Sequence, residues 1–383
     1  ISKFRKGISV TNDSGKPEGF LLTGTLQNGE RIDIFALRID LKGNVIFAKS
    51  YSRQLPNVNK FDVYAVMYIR SENTFVIVGE SSGTPLFLAI KEDGNSPLAK
   101  YYIEDSGGSF NNAIGFFTDI EILPTYDDSL YITGVYLGIG GRKAVSAVNL
   151  KYSGDVKNFY RISSQIDLTG FAMTPSIGIV SSEQFFIFGE AGIRGIALNA
   201  LAMKYDFASK KLENAFIISG KDLSSNQVGL SFRNVRTINK NGPVNLVGGS
   251  YLFLKNASVV SNALVALIEQ NLSVSKMKAV KNTDVEEVID MIFSDSFVFI
   301  SPTTFNNNLD ILAVKMNSDL EIKGASCNKS FLSDVSFTGQ SLVNPSVESV
   351  SVKVFEIGDL KVQEVLNNQM EATGSASNVC NKP

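Results

Sequence analysis

At 383 residues the chain has room for one large all-β domain or several smaller ones, and its 44% hydrophobic and 19% charged residues belong to a folded protein. A formal net charge of −2 without a long basic run excludes binding to nucleic acid or anionic lipid through a charged face. The absence of histidine excludes Ser–His and Cys–His nucleophiles, imidazole acid–base catalysis and the usual zinc, iron and copper sites.

A start at Ile1 rather than Met is what a cleaved secretory signal, or a trimmed chain, would leave. The first clear elements are "FLLTG", an apolar strand ending at Gly24, and "DIFALRIDLKGNVIFAKSY" (33 to 51), two strands about a turn at Gly43. The combination then recurs. "FVIVG" ends at Gly79, "LYITG" at Gly134 and "FFIFG" at Gly189, each 55 residues after the one before. "VNLVG" ends at Gly248, 59 further on, and "FVFIS" at Ser301, another 53. The same hairpin follows each in some form, as in "PLFLAIKEDGNSPLAKYY" with its turn at Gly94. A further apolar segment precedes each, such as "DVYAVMYI", "FFTDIEIL" or "EEVIDMIF". One repeat therefore supplies four strands, and six repeats predict an all-β fold, a β-propeller of four-stranded blades over residues 1–330. In "IFALRI" both alternating faces are largely apolar, as a strand covered on each side by a neighbouring blade requires. The stretch most like a membrane span, "FFIFGEAGIRGIALNALAM", is interrupted by Glu190 and Arg194, so no span is expected.

Three features inside the repeats bear on function. Asp62, Asp119, Asp284, Glu286, Glu287 and Asp290 fall on the innermost strands, which line a propeller's channel. Converging there, they would suit a hard cation such as Ca²⁺; the alternative is a water-filled channel with no ion and no cofactor. "GIGGRK" (138 to 143) lacks the following helix that a phosphate loop needs, and reads as a turn. The loop between the second and third strands is longest in the fifth repeat, "SYLFLKNASVVSN" (250 to 262). Its consecutive Tyr251, Leu252, Phe253 and Leu254 predict a contact surface at a loop tip, against the alternative that they fold back over the blade edge.

Residues 331–383 form a C-terminal extension. "SVSVKVFEIGDLKVQEVL" reads as a hairpin about Gly358-Asp359 and so as a degenerate seventh blade. "DLKVQEVLNNQMEATG" also reads as a short amphipathic helix ending near Gly374. The tail "EATGSASNVCNKP" has a fraying composition, and a Cys327–Cys380 disulfide would tie it down and imply an oxidising compartment. Two reduced thiols with the tail held by packing are the alternative. Sequons at Asn12, Asn256, Asn271 and Asn328 agree with an extracellular glycoprotein.

The run at 33 to 51 resembles the β-propeller repeat common in secreted and surface proteins of bacteria. Asp33, Asp40, Gly43, Asn44, Phe47 and Lys49 hold the recurring places of that repeat, and the resemblance covers about residues 18 to 326. The family often has Trp where Phe47 stands, and this chain has no Trp. The resemblance implies the fold and a place outside the cell or on its surface, and no activity, because the family shares no active site. Without His or Trp, the function expected is that of a non-catalytic extracellular module that binds protein and assembles with itself, as an adhesin, matrix component or filament subunit. The alternative is a carbohydrate-active propeller enzyme or lectin that binds glycans through carboxylates.

Overall fold

The structure is a computed structural model that describes residues 2–53, 60–105, 115–123, 128–138, 141–176, 183–192, 198–221, 227–239, 242–255, 258–280, 288, 290–293, 297–305, 308–322, 332–358 and 360–365. Among these the chain is all-β with a repeat-like architecture, and its helical structure is 3-10 alone, at Arg70–Glu72 and at Gly141. No helix of the described residues is long and apolar enough to cross a membrane.

The strands run as antiparallel meanders in chain order. The first is β1 (Ser2–Thr11), β2 (Pro17–Asn28), β3 (Arg31–Asp40) and β4 (Val45–Arg53). The second is β5 (Phe61–Ile69), β6 (Thr74–Ser81), β7 (Thr84–Lys91) and β8 (Leu98–Glu104). The third is β9 (Phe116–Glu121), β10 (Ser129–Leu137), β11 (Lys143–Lys151) and β12 (Val156–Ser163); between β10 and β11 the Gly138 N–H donates to the Arg142 carbonyl, and residues 139 and 140 of "GIGGRK" lie outside the described residues. The fourth is β13 (Asp167–Pro175), β14 (Gln184–Gly192), β15 (Asn199–Asp206) and β16 (Lys211–Lys221). The fifth is β17 (Gln227–Asn239), β18 (Pro243–Lys255), β19 (Ser258–Glu269) and β20 (Val274–Val280), and the sixth is β21 (Asp290–Phe293), β22 (Phe297–Phe305) and β23 (Asn308–Met316). A short pairing of Gly220 and Lys221 with Val228 and Gln227 joins the fourth and fifth meanders into one sheet, and none of the sheets closes on itself.

Consecutive meanders stack face to face, which is why their central strands are apolar on both sides. One apolar layer lies between the first and second, with Leu21, Ala36 and Phe47 against Phe75, Ile77 and Leu88. Four more lie at the successive junctions, so each internal meander is buried on two faces. A fully buried Leu, Ile or Phe contributes about 1.5–3 kcal/mol, and these layers hold the fold together.

The repeated hairpin turn is locked by the meander before it. Tyr51 and Tyr102 donate their hydroxyls to the carbonyls of Gly94 and Gly154, each at 2.8 Å, in the next meander's turn. Lys49, buried at the same junction, donates to the Asp93 carbonyl and to Asn95 Oδ1 at 3.0 and 2.7 Å. Gly94 has φ of 75°, and a Cβ there would lie 3.0 Å from the Phe47 ring. The last two meanders make the same turn with Leu272 and Leu320, whose φ values are 68° and 58°. Both side chains are buried, so apolar burial offsets the roughly 1 kcal/mol or more of left-handed strain.

The C-terminal segment corrects two expectations. It forms β24 (Leu332–Asp334), β25 (Ser336–Ser341), β26 (Ser346–Ser349), β27 (Val352–Glu356) and β28 (Leu360–Glu364). These pair in turn with β20, β16, β12, β8 and β4, the outer strands of the fifth, fourth, third, second and first meanders. The described part of the segment is thus not a degenerate seventh blade. Its expected hairpin about Gly358 is absent because β27 and β28 go to different meanders. Residues 360–364 are strand rather than helix, their backbone bonds taken by the edge of β4; the rest of the expected helix lies outside the described residues.

This strap has a repeat of its own. Leu332, Val335, Leu342, Val350 and Ile357 are each buried, one in each of the five layers, from the junction of meanders five and six back to that of one and two. Val365 packs on the outer face of the first meander. The last five of these six anchors also donate their backbone N–H to one carbonyl each: Met277, Ala215, Phe159, Ala99 and Ala48, at 2.8 to 3.2 Å.

Candidate functional site

The first strands of successive meanders lie side by side, β1 against β5, β5 against β9, and so on to β21. In each of the first five, the register to the next strand slips by one residue, which marks a β-bulge at Arg5, Tyr64, Thr118, Phe171 and Arg233. The recurring glycine faces this bulge. A Cβ on Gly79, Gly189 or Gly249 would sit 2.0, 1.7 or 1.8 Å from a backbone carbonyl of the bulged strand, so only glycine fits. In the fifth repeat that place belongs to Gly249, which corrects the sequence marker Gly248 by one residue.

Most of the bulged side chains reach the neighbouring meander. Arg5 donates to both Asp62 oxygens, at 3.1 and 2.6 Å, and Thr118 Oγ1 donates to the Gly170 carbonyl at 2.8 Å. Arg233 pairs with Glu190 at 2.7 Å and lies 3.7 Å above the Phe171 ring. Beside the first bulge, Lys6 Nζ donates to Asn234 Oδ1 at 3.3 Å and to Asp290 Oδ1 at 3.1 Å, linking the first meander to the fifth and sixth.

Of the carboxylates singled out in the sequence, Asp62 and Asp290 are therefore held by cations, Asp290 also lying 3.7 Å from Arg236. Asp119 accepts the Met173 backbone N–H at 2.8 Å. Asp284, Glu286 and Glu287 lie outside the described residues. Among the described residues no three His, Cys, Asp or Glu side chains converge on a point where an ion would sit.

Sequence reasoning missed Glu121, which shares a face of β9 with Asp119, and the cations Arg5, Lys6 and Arg236. Burial, and then the charge of Asp119, push Glu121 up to about 8, while Lys6 and Arg236 pull it down. Asp119 is also raised, by burial. The pair therefore retains a proton at neutral pH. Glu80 is raised by burial and by Asp62, and it accepts a hydrogen bond from Tyr64, whose hydroxyl burial pushes far above its ordinary value. A bulge is one inserted residue, visible only once partners are known, so none of this was legible beforehand. A depression of about 240 Å³ lined by Ile69, Thr74, Lys91, Leu98 and Tyr152 has none of these acids in its wall.

The expected apolar loop at 251–254 is corrected. Tyr251, Leu252, Phe253 and Leu254 lie within β18, paired with Asn262, Ser261, Val260 and Val259 of β19. Tyr251 and Phe253 are half-buried, 5.6 Å apart between ring centroids, and pack on the layer between the fourth and fifth meanders. Period-two alternation turns both rings to one face, and the pairing of β18 with β19 runs on to Lys255.

Exposed apolar side chains collect elsewhere. Phe4, Phe20, Leu41, Val45 and Ile46 all belong to the first meander and range from 39% exposed at Val45 to 57% at Leu41. Phe4, Phe20 and Ile46 lie on its face away from the second meander, with Phe35, Leu37 and Ala48. Of the sequons, Asn12 and Asn271 sit in turns, each Oδ1 accepting from the N–H and hydroxyl of Ser14 or Ser273. Asn256, Asn328, Cys327 and Cys380 lie outside the described residues.

No family model matches the chain, and no curated protein is similar to it in sequence. Among solved structures, Sqt1 of Chaetomium thermophilum is similar with 11% identity, over 79% of this chain and 93% of that one, at a TM-score of 0.33. A likeness that loose carries no argument about activity.

Proposed function

We propose that the six meanders are the blades of a β-propeller, with residues 331–383 as an extension, and that the protein is a non-catalytic extracellular module that assembles with further copies of itself. The side-by-side first strands and the Lys6–Asp290 contact between first and sixth meanders support the propeller reading. The repeat resemblance supports a secreted or surface protein. The observation that carries the assembly reading is the cluster of exposed apolar side chains on the first meander, which holds Phe4, Phe20, Leu41, Val45 and Ile46 while Val343 of the C-terminal segment is exposed apart from them, because a contiguous apolar patch on a soluble surface favours association. It replaces the stretch at 251–254 as the proposed contact surface. The inner acids fit the non-catalytic reading, since Asp62 and Asp290 are neutralised by Arg5 and Lys6.

Light scattering over a range of concentrations, with electron microscopy of the same samples, tests this. The mass is expected to rise with concentration, and Phe20→Ser with Ile46→Ser to hold the protein at one chain. A wild-type protein of one chain's mass at every concentration overturns it.

A carbohydrate-active enzyme or lectin is the second reading, and one observation favours it: Asp119 and Glu121 keep a proton at neutral pH within the field of Lys6 and Arg236, the cations that also hold the carboxylate of Asp290. Hydrolysis or binding of a glycan that is lost in Glu121→Gln would establish it over the first.

A further inference from the structure

The residue after each β-bulge in the first five meanders is, in order, Lys6, Ala65, Asp119, Ala172 and Asn234. The polar members of this set draw together where the first strands run side by side. Lys6 Nζ donates to Asn234 Oδ1 at 3.3 Å, although 228 positions separate the two in the chain, and its charge acts on Asp119. The Lys6 side chain is 13% exposed, and that of its other partner, Asp290 at 3.1 Å, is 21% exposed, so little water reaches the contact. Asn234 is fixed from its far end. Its Nδ2 donates to the Val288 carbonyl at 2.7 Å, which turns Oδ1, and with it the carbonyl carbon Cγ, toward Lys6. An ion pair needs only Lys6 and Asp290. An amine, a carboxylate and a fixed carboxamide together are the nucleophile, proton acceptor and electrophile of an acyl transfer.

We infer that Lys6 and Asn234 become joined by an isopeptide bond, Nζ to Cγ, which links the first meander to the fifth, with Asp290 as the proton carrier. The Lys6 ammonium gives one proton to the Asp290 carboxylate, and the amine so formed attacks Asn234 Cγ. As the Nζ–Cγ bond forms, a second Nζ proton passes to Nδ2. The Cγ–Nδ2 bond then breaks, Asp290 returns its proton to the departing nitrogen, and ammonium leaves. One positive charge enters on Lys6 and one departs on ammonium, so atoms and charge balance without a co-reactant. The Val288 carbonyl, already the acceptor for Nδ2, faces the nitrogen on which positive charge develops.

The surroundings suit the product as well. The new amide keeps one N–H, and Asp290 Oδ1 is in place to accept it. Asp290 retains a cation, since Arg236 lies 3.7 Å away. Loss of the Lys6 charge makes Asp119 and Glu121 hold their proton more firmly, because Lys6 is one of the charges that pull the pair down. No bare carboxylate is left behind. A covalent link across 228 positions also restricts the unfolded chain strongly, at the point where its first strand meets its fifth and sixth meanders. The bond forms within one chain and is independent of assembly. Lys49 and Asn95 are closer, at 2.7 Å, but their carboxylate, Glu364, is 70% exposed and open to water, so that pair serves as the control.

The intact mass of the full-length protein, expressed in bacteria and reduced, is expected about 17 Da below the sum of its residues, the loss of one ammonia. Digestion should yield a branched peptide carrying Lys6 and Asn234, with Lys49 and Asn95 on separate peptides. Lys6→Arg keeps the charge and its hydrogen bonds but lacks the attacking amine, and should have the full mass. Asp290→Ala keeps both reacting groups and should form the branched peptide about a hundredfold more slowly. A wild-type protein of full mass, with Lys6 and Asn234 on separate peptides, overturns the proposal and leaves an ion pair with a hydrogen bond. The same mass loss without the branched peptide, as a succinimide at another asparagine gives, overturns it equally. Undiminished branching in Asp290→Ala overturns the role of Asp290.

Discussion

Replacing Ile357 by alanine separates the strap's stability from that of the meanders beneath it. Ile357 is 6% exposed in the layer between the first two meanders, and its N–H is bonded to Ala99. The substitution removes three buried carbons at about 0.8 kcal/mol each, so about 2.4 kcal/mol, within the usual range for Ile→Ala. That corresponds to roughly a fiftyfold shift in a local opening equilibrium. The strap lies at the rim and each of its strands is short, so it opens before the stacked sheets do. Native-state hydrogen exchange should therefore show amides of β27 and β28, and of Ile357 itself, exchanging roughly fiftyfold faster, while those of β7 in the second meander keep their rates. Equal acceleration of β7 would refute the idea of a separately opening strap. No acceleration anywhere would refute the anchoring role of Ile357.

Gly189→Ala should lower stability by about 3 kcal/mol in urea titrations, because its Cβ meets the Thr169 carbonyl at 1.7 Å. Gly43→Ala, with nothing within 4 Å but φ of 86°, should lose only about 1 kcal/mol, and equal losses would contradict the bulge argument. For Glu121 the folded state keeps the proton up to about 8 while the unfolded chain releases it near 4.5, so its contribution to stability falls as pH rises across that window. Glu121→Gln should therefore gain in melting temperature over wild type progressively from pH 4.5 to 8, and parallel profiles would show that Glu121 titrates normally. Intact mass before and after thiol labelling should reveal no free thiol on Cys327 or Cys380 in unreduced protein, and labelling at both would exclude the bridge.

The repeated hairpin was legible because its signals are local: an apolar strand of period two, a turn residue, and a glycine at near-constant spacing. The reason for that glycine was not, since it depends on a carbonyl that a bulge pushes from the adjacent strand. Tyr251–Leu254 was misread for a related reason. A longer stretch between two strands can be a loop or simply longer strands, and the difference lies in pairing with Val259–Asn262. The strap was least legible of all. Its strands are three to six residues long, each is completed by a different meander, and the anchors Val335, Leu342, Val350, Ile357 and Val365 recur every seven or eight residues, a spacing of neither helix nor strand. Lys49 shows the mixed case: its place in the hairpin was plain, but its contacts with the next turn and with Glu364 come from segments far along the chain.

The order in which a ribosome releases these segments gives the strap a further consequence. Each meander can form from contacts close in sequence as it emerges, and domains generally fold as they are made. The strap comes last, and its contacts join positions as remote as Val365 and Ala48. It can dock fully only where every layer from the sixth meander back to the first is already in place, because each anchor needs a finished junction to enter. A nascent molecule with one misregistered meander would leave that strap unit, and those after it, hanging free. Such a molecule exposes an unpaired strand to proteases and chaperones, whereas a correctly built one hides it.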